Sequence, residues 1–540
     1  MFGSKKEQTV GQDTAGAELA KVLPNTEVAW YRTKHLLLLN LMLLVPLFSA
    51  SAVGYDGSMM NGLQALPQWR NYFDKPRPAL LGAINAVYPS SKIIGLPLVA
   101  WVSDKWGRKL PLWIGLCSLV LAPAIQAAAY NLPMFIIARS LIGFATVFIA
   151  LPSPILIAEL AYPTHRGKLT ALYNTFFFVG GISAAWITYG TFRMHSTMAW
   201  RIPSVFQAFF PFLQLLGIYW VPESPRWLIA NDRAEEARAI LTKHHAAGVA
   251  HSPLVDYEMV EITKAIEDER NAAAKAGFAT LFRTAANRKR TFIGFTLGFF
   301  SQWNGINVVS YYLTLVLNTI GITEAKDQTL INGLLQVFNF IAAVFAGAMM
   351  VDRLGRRKLL LIGTGGLLCS YIAWTGLTGY FFTSRDALAG RTVVAFIFIA
   401  YFFYDISWTP LAMAYTVEIF PFTLRSRGLT WTLTCSYAGL ITAQMLNPIA
   451  MAALGWKYYI LFCCILVYLV VVIWFMFPET KGRSLEQIGE LFEGKTITVE
   501  ADYILAKGPV ETIEDLDLIE SDAGSKAVGN PTVSVRAQRV

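Results

Sequence analysis

Four ionisable side chains stand deep inside long apolar runs: Asp56, Lys92, Arg139 and Asp405. Two acids and two bases sum to zero, so mutual pairing is open to them. An unpaired charge at the centre of a membrane-spanning helix costs about 2.5–3.5 kcal/mol, so such residues mark function or ion pairs. The proton affinity of a carboxylate rises with desolvation and falls beside a cation. Asp56 therefore has the chemistry of a group that binds and releases protons as a cavity opens to either side. The plainer alternative is a structural ion pair. Lys92 leaves more open: it pairs with Asp56, competes with Arg139, faces an anionic ligand, or snorkels from a lipid face to an interface.

Amides and phenols recur in the same apolar surroundings. Residues 302–312 supply Gln302, Asn304, Asn307, Tyr311 and Tyr312. Asn332, Gln336 and Asn339 fall at i, i+4 and i+7, on one helix face. Tyr404 and Trp408 are four apart, and Gln444 and Asn447 three apart. Amides offer donors and acceptors together, and aromatic rings cover C–H faces, which is what a hydroxyl-rich ligand requires. A run of amides in an apolar span is expensive unless it faces a wet cavity. The alternative, hydrogen bonding between helices, is worth about 0.6 kcal/mol per contact. Amides converging from both halves of the chain favour a ligand.

The elements that carry these groups follow from composition. Of 540 residues, 55% are hydrophobic and 15% charged, against about 25% charged in a soluble domain. This excludes a disordered chain, a nucleic-acid-binding module and a soluble enzyme. The net charge of +9 falls between apolar segments, where it sets topology. The five cysteines lie within apolar stretches and imply no disulfide framework. His-Glu-x-x-His, Cys-x-x-Cys and Walker A patterns are absent, so neither a metal nor a cofactor is expected.

A span needs about 20 mostly apolar residues. Twelve are expected, at 36–62, 80–102, 111–130, 133–160, 168–191, 204–222, 291–318, 329–351, 358–380, 392–418, 428–453 and 457–477. Prolines inside them are tolerated in membrane helices. The polar first 34 residues and the long first apolar run argue against a cleavable signal peptide. An even number of spans puts both termini on one side. Lys and Arg in the central loop and tails place that side in the cytoplasm.

The expected fold is thus an all-α membrane protein of two pseudo-symmetric six-helix halves with a cytoplasmic helical insert. Its parts are an N-terminal tail (1–34), a first bundle (35–222), a helical loop (223–290), a second bundle (291–478), a cytoplasmic helix (479–495) and a disordered tail (496–540). In the loop, Asn231 and Asp232 are expected to cap a helix through Arg233–His244, and Tyr257–Lys275 has helical spacing.

Short motifs repeat in order. Asp104-Lys-Trp-Gly-Arg-Lys109 matches Asp352-Arg-Leu-Gly-Arg-Arg357. Glu159 with Arg166-Gly167 matches Glu418 with Arg427-Gly428. Pro222-Glu223-Ser-Pro-Arg226 matches Pro478-Glu479-Thr-Lys-Gly482. Nearly constant separation implies duplication, the arrangement of carriers that rock one half against the other.

With Gly54-Tyr55-Asp56-Gly57 and Gln302…Gly305-Ile-Asn307…Tyr311-Tyr312, these motifs make the chain resemble a sugar porter of the major facilitator superfamily. The likeness runs from about residue 30 to about residue 495 and leans to the fungal lactose permease and cellodextrin transporter branch. It implies a secondary active transporter that imports a sugar of the disaccharide or hexose class by proton symport and alternating access. Asp56 would couple the proton, with Arg139 as its partner. Gln302 and Asn307 match sugar ligands, joined by Asn174, Asn304, Tyr311, Asn339, Tyr404, Asp405, Trp408 and Asn447. Asn174 stands where relatives have glutamine, and Met413 where hexose carriers have a stacking tryptophan.

Asp104, Arg108, Glu159, Arg166, Glu223, Arg226, Asp352, Arg356, Glu418, Arg427 and Glu479 would form a latch that locks one conformation. Single basic residues that merely fix topology are the alternative. The resemblance further implies a plasma-membrane monomer whose partners are sugar, proton and lipid. A carrier for a polyol, quinate-like acid or secondary metabolite, and a non-transporting sugar sensor, are the competing readings.

Overall fold

A computed structural model describes residue 23 and residues 30–249, 251–275, 277–344, 353–481, 488 and 491–492. The expected N-terminal tail, the 479–495 helix and the 496–540 tail lie wholly or mostly outside these residues. The chain divides into two units, Met1–Ile488 and Gly489–Val540. Of the second, only Leu491 and Phe492 are described, both helical. Among the described residues there are helices and no strands.

The helices of the first unit are α1 (Lys34–Ala65), α2 (Pro67–Tyr72), α3 (Pro78–Trp106), α4 (Lys109–Ala127), α5 (Leu132–Ala150), α6 (Pro152–Leu160), α7 (Arg166–Thr191), α8 (Met198–Phe206) and α9 (Phe209–Gly217). An insert holds α10 (Pro225–Ala230), α11 (Ala234–His245), α12 (Pro253–Lys275) and α13 (Thr280–Arg283). Then follow α14 (Ala285–Trp303), α15 (Ile306–Thr319), α16 (Ala325–Ala342), α17 (Arg356–Ser384), α18 (Ala387–Ile419), α19 (Phe422–Leu454) and α20 (Tyr458–Met476).

Local chemistry sets many of the starts. Proline opens α2, α3, α6, α10 and α12, where its missing N–H costs nothing. Asn131, Thr284 and Asp386 accept backbone N–H bonds as N-caps of α5, α14 and α18. The insert departs from expectation. Arg233, not Asn231 or Asp232, precedes α11, and no side chain caps it. Asn231 closes α10 instead, its amide donating to Trp227 O at 2.9 Å.

Eight described stretches are long and apolar enough to cross a membrane. One of them, Leu424–Met476, holds both α19 and α20. Three expected spans fall short of that standard. The 204–222 run is two helices, α8 and α9. The 291–318 run breaks at Asn304 and Gly305, where Gly305 takes φ +98° beneath the Tyr371 ring. Third, α16 starts in the polar run Ala325–Gln328, and residues 345–352 are not described.

Long helices pack in pairs, α1 along α7, α17 along α18 and α14 along α19. Side-chain-free crossings allow it: a Cβ on Gly54 would collide with Phe177 O, and one on Gly180 with Ser51 O. Small residues let helix backbones approach in this way. Two further contacts join distant parts of the chain, α3 with α19 and α7 with α16.

Candidate functional site

The site is built around the acid on α1. Asp56 and Arg139 are each 1% exposed. Arg139 Nη1 donates to Asp56 Oδ1 at 2.6 Å, and Nη2 to Oδ2 at 3.3 Å. Gln207, between α8 and α9, donates to the same Oδ1 at 2.8 Å. Arg139 Nε reaches Ile84 O of α3 at 3.4 Å, and its guanidinium lies 5.2 Å from the Tyr88 ring. Both carboxylate oxygens are thus occupied. Breaking such a pair by removing one partner typically costs about 3–5 kcal/mol.

Lys92 is buried against the same tyrosine, its Nζ 4.1 Å from the Tyr88 ring centroid. Among the described residues it has no ion pair or hydrogen bond. It therefore does not bond Asp56. Nor does it snorkel: the exposed row of α3 is Ile94, Leu98 and Trp101, and Lys92 lies on the opposite side at about 100° per residue. Asp405 of α18 is 2% exposed. Its Oδ1 accepts from Thr409 one turn away at 3.2 Å, and its Oδ2 has no partner among the described residues.

The hydroxyl-binding candidates sort into groups. Gln302 and Asn307 meet across the α14–α15 break: Asn307 Nδ2 donates to Gln302 O and Oε1, both at 2.8 Å. Gln302 Nε2 in turn reaches Ser436 Oγ at 3.1 Å. Asn304 and Asn339 are buried, with Asn304 Nδ2 and Asn339 Oδ1 unmatched among the described residues. Tyr311 packs beside Gly57, next to Asp56. Tyr404 is half-buried next to Asp405. These groups all come from the second half of the sequence, and the first half supplies Asp56 and Gly57 beside Tyr311.

Three others sit apart from that pattern. Trp408 is 1% exposed and donates to Thr364 Oγ1 of α17 at 3.1 Å, a packing contact. Asn447 accepts from Tyr458 OH at 2.7 Å, so its amide oxygen is engaged. Asn174 is exposed on α7. A cavity of about 270 Å³ lies elsewhere, lined by Gln64, Arg70, Leu81, Thr314, Asn318 and Met451. None of its lining residues is an expected ligand.

The duplicated motifs produce the same construction twice. Glu223 accepts the backbone N–H groups of Arg108 and Lys109 at 2.9 and 3.1 Å. Glu479 accepts those of Arg356 and Arg357 at 2.8 and 3.2 Å. Each carboxylate thus sits on the N-terminus of a helix, α4 or α17, where backbone N–H groups and the dipole favour an anion. The arginine side chains go to the other acids: Arg108 Nε is 3.5 Å from Glu159 and Arg356 Nε 3.0 Å from Glu418. Asp104 pairs with Arg108 at 3.3 Å but is exposed. Arg166 is exposed and has no ion pair among the described residues, so it stands outside this latch geometry. Arg226 and Arg427 are half-buried. Asp352 lies outside the described residues.

The insert docks beside this network. His245 Nδ1 donates to Glu258 at 2.8 Å, and its Nε2 lies 3.2 Å from Leu160 O, one residue past Glu159. Neighbouring His244 is pushed down to about 4 by burial, with Lys243, His245 and His35 adding to the effect. Burial and the Lys168 and His245 charges lower His165 as well.

Sequence reasoning missed Gln207, Tyr88, Asn61 and Gln64. Asn61 Nδ2 donates to Ser310 O at 2.5 Å and Gln64 Nε2 to Tyr311 O at 2.9 Å, joining α1 to α15. For the three amides the available signal was an amide in an apolar run, the same one that singled out residues 302–307.

Known proteins resemble this chain in sequence and in fold. The family described as "Sugar (and other) transporter" matches residues 42–492. The chain is 29% identical to the MFS-type transporter criB of Aspergillus cristatus, covering 82% of this chain and 90% of that one. It is 27% identical to a high-affinity glucose transporter of Kluyveromyces lactis, over 88% of each. It is 30% identical to a quinate permease of Neurospora terricola, over 83% of this chain and 88% of that one. The inward open conformation of the xylose transporter XylE from E. coli matches with a TM-score of 0.70 at 24% identity, covering 84% of this chain and 99% of that one. That last likeness establishes the fold.

Proposed function

The chain belongs to the sugar (and other) transporter family, and from this we propose that it carries a hydroxyl-rich solute across a membrane by proton symport and alternating access. The observation that carries the reading is the buried Asp56–Arg139 pair with Gln207 on the same carboxylate oxygen. Ionised Asp56 holds Arg139 in place. Protonation removes the charge that Arg139 answers, and the guanidinium is free to re-pair. A group of this kind couples a proton to a rearrangement of the helices that carry it, here α1, α5 and the α8–α9 joint.

The substrate contacts in this reading are Gln302, Asn307 and Tyr311, with Asn304, Asn339, Tyr404 and Asp405 around them. Twelve spans are proposed, six on each side of the insert, with α8–α9 and α14–α15 each crossing as one broken helix. Broken helices are tolerated where their free backbone groups line a cavity. The Arg108–Glu159 and Arg356–Glu418 pairs, anchored by Glu223 and Glu479, act as the conformational latch. A plasma-membrane monomer with both termini in the cytoplasm completes the proposal. The names of its relatives support it, including a glucose transporter and a proton:xylose symporter.

The test uses proteoliposomes with an inward proton gradient and a panel of hexoses, pentoses, disaccharides and quinate-like acids. Internal acidification on adding one solute is expected, and Asp56→Asn protein should lose uphill accumulation while keeping exchange. Accumulation that survives in Asp56→Asn rules out Asp56 as the proton site. A second reading, a carrier for a polyhydroxy acid, is favoured by the likeness to a quinate permease.

A further inference from the structure

Lys92 is the one charge in the middle of α3, and its surroundings are electrically unbalanced. Asp56 and Arg139 are the charged groups that act on it. Counting all three, two cations face one anion, and that anion is already engaged. Asp56 Oδ1 accepts from both Arg139 and Gln207, and Oδ2 accepts from Arg139. Asp405, a second acid buried in an apolar span, lies on α18 with only Thr409 on its carboxylate among the described residues, and forms no ion pair with Lys92. A desolvated local excess of positive charge is costly unless an anion answers it.

The position of Lys92 makes a ligand able to supply that anion. The side chain lies opposite the exposed row Ile94, Leu98 and Trp101. It shares the Tyr88 ring with the Arg139 guanidinium, the two cations lying 4.1 and 5.2 Å from the ring centroid. Arg139 in turn pairs with Asp56, and Tyr311 packs beside the neighbouring Gly57. Lys92 thus belongs to the group of residues, drawn from both halves of the sequence, that surrounds Asp56. Serine neighbours do not satisfy it: Ser91 and Ser140 bond each other at 2.8 Å.

We propose that Lys92 is the specificity-determining residue of the substrate site and that it binds a carboxylate, so that the transported solute is a polyhydroxylated acid rather than a neutral sugar. This rests on the transport reading above and narrows its substrate class. The amides of α14 and α15 hold hydroxyl groups, and the ammonium holds the acid. The carboxylate brings the missing negative charge into the bundle, and Asp56 remains free to exchange its proton.

The experiment compares matched pairs differing only in the acid: glucose with glucuronate, glucitol with gluconate, and a cyclic polyol with quinate. Ligand-induced thermal stabilisation of the full-length purified protein is measured, a readout that does not depend on transport or on a proton gradient. At least one acid is expected to stabilise the protein where its neutral partner does not. Lys92→Met should weaken that acid by at least about tenfold, and Lys92→Arg should restore part of the loss. Circular dichroism of each variant confirms that the helices are intact. Neutral members that bind as tightly as their acids overturn the proposal, and so does an acid that binds wild type and Lys92→Met alike. Failure of proton coupling in Asp56→Asn leaves this binding readout untouched, so the two proposals fail separately.

Discussion

The Asn61 side chain and the Leu313 backbone are joined across α1 and α15: Leu313 N–H donates to Asn61 Oδ1 at 3.1 Å. The same amide donates to Val309 O and Ser310 O, at 3.2 and 2.5 Å. Asn61 therefore holds α15 on both sides of Tyr312, whose φ and ψ of −137° and 32° leave helical geometry. One asparagine satisfies the backbone groups that the kink releases. Asn61→Ala should cost about 1–3 kcal/mol, the range for leaving buried polar groups unmatched. It should also loosen this joint between the halves, read as faster labelling of a cysteine placed at Thr314. Unchanged melting and labelling would show the kink holds without it.

Asp56 and Arg139 lend themselves to a double-mutant cycle. Asp56→Asn and Arg139→Gln each leave one buried charge uncompensated, and each should lower stability by about 3–5 kcal/mol. The double variant removes both charges and should be more stable than either single one. Thermal melts in detergent measure this directly. Additive losses would mean the two side chains do not depend on each other.

Glycine is required at the two duplicated turns. Gly107 and Gly355 take φ of +93° and +89°, and a Cβ on either would meet the Glu223 or Glu479 carboxylate. Gly355→Ala combines backbone strain with loss of the helix-end anion site, at a cost of about 1–3 kcal/mol. Glu479→Gln keeps the size and removes the charge, so a smaller loss is expected there. If Gly355→Ala melts like wild type, the carboxylate does not need this approach.

The insert should be acid-labile. His244 sits at about 4 in the fold, against 6.5 when unfolded, because burial disfavours its charged form. Between these values the unfolded state binds more protons, so stability rises with pH across that window and is lost as pH falls through it. His165 is shifted in the same direction. Hydrogen exchange of α11 and α12 should therefore speed up as pH drops below 6.5, after correction for intrinsic rates. His244→Gln should flatten that dependence, and an unaltered profile would count against it.

What the sequence determines here is local in cost. Apolar runs such as Lys34–Ala65 and Tyr458–Met476 declare themselves because about 20 residues must be apolar together to span a bilayer. A charge such as Asp56 or Lys92 stands out because its penalty falls on that residue, whatever surrounds it. The repeated motifs are legible because duplication preserves order. Partnership is not local. Gln207 reaches Asp56 across 151 positions of sequence and Asn61 reaches Leu313 across 252. Trp408, equally aromatic and equally placed in an apolar run, packs on Thr364 instead. Glu223 and Glu479 read as partners for arginine side chains, yet they cap backbone N–H groups, because Gly107 and Gly355 bring helix ends to them. Which buried polar group meets which is settled by the crossing of helices, and only the tertiary structure sets those crossings.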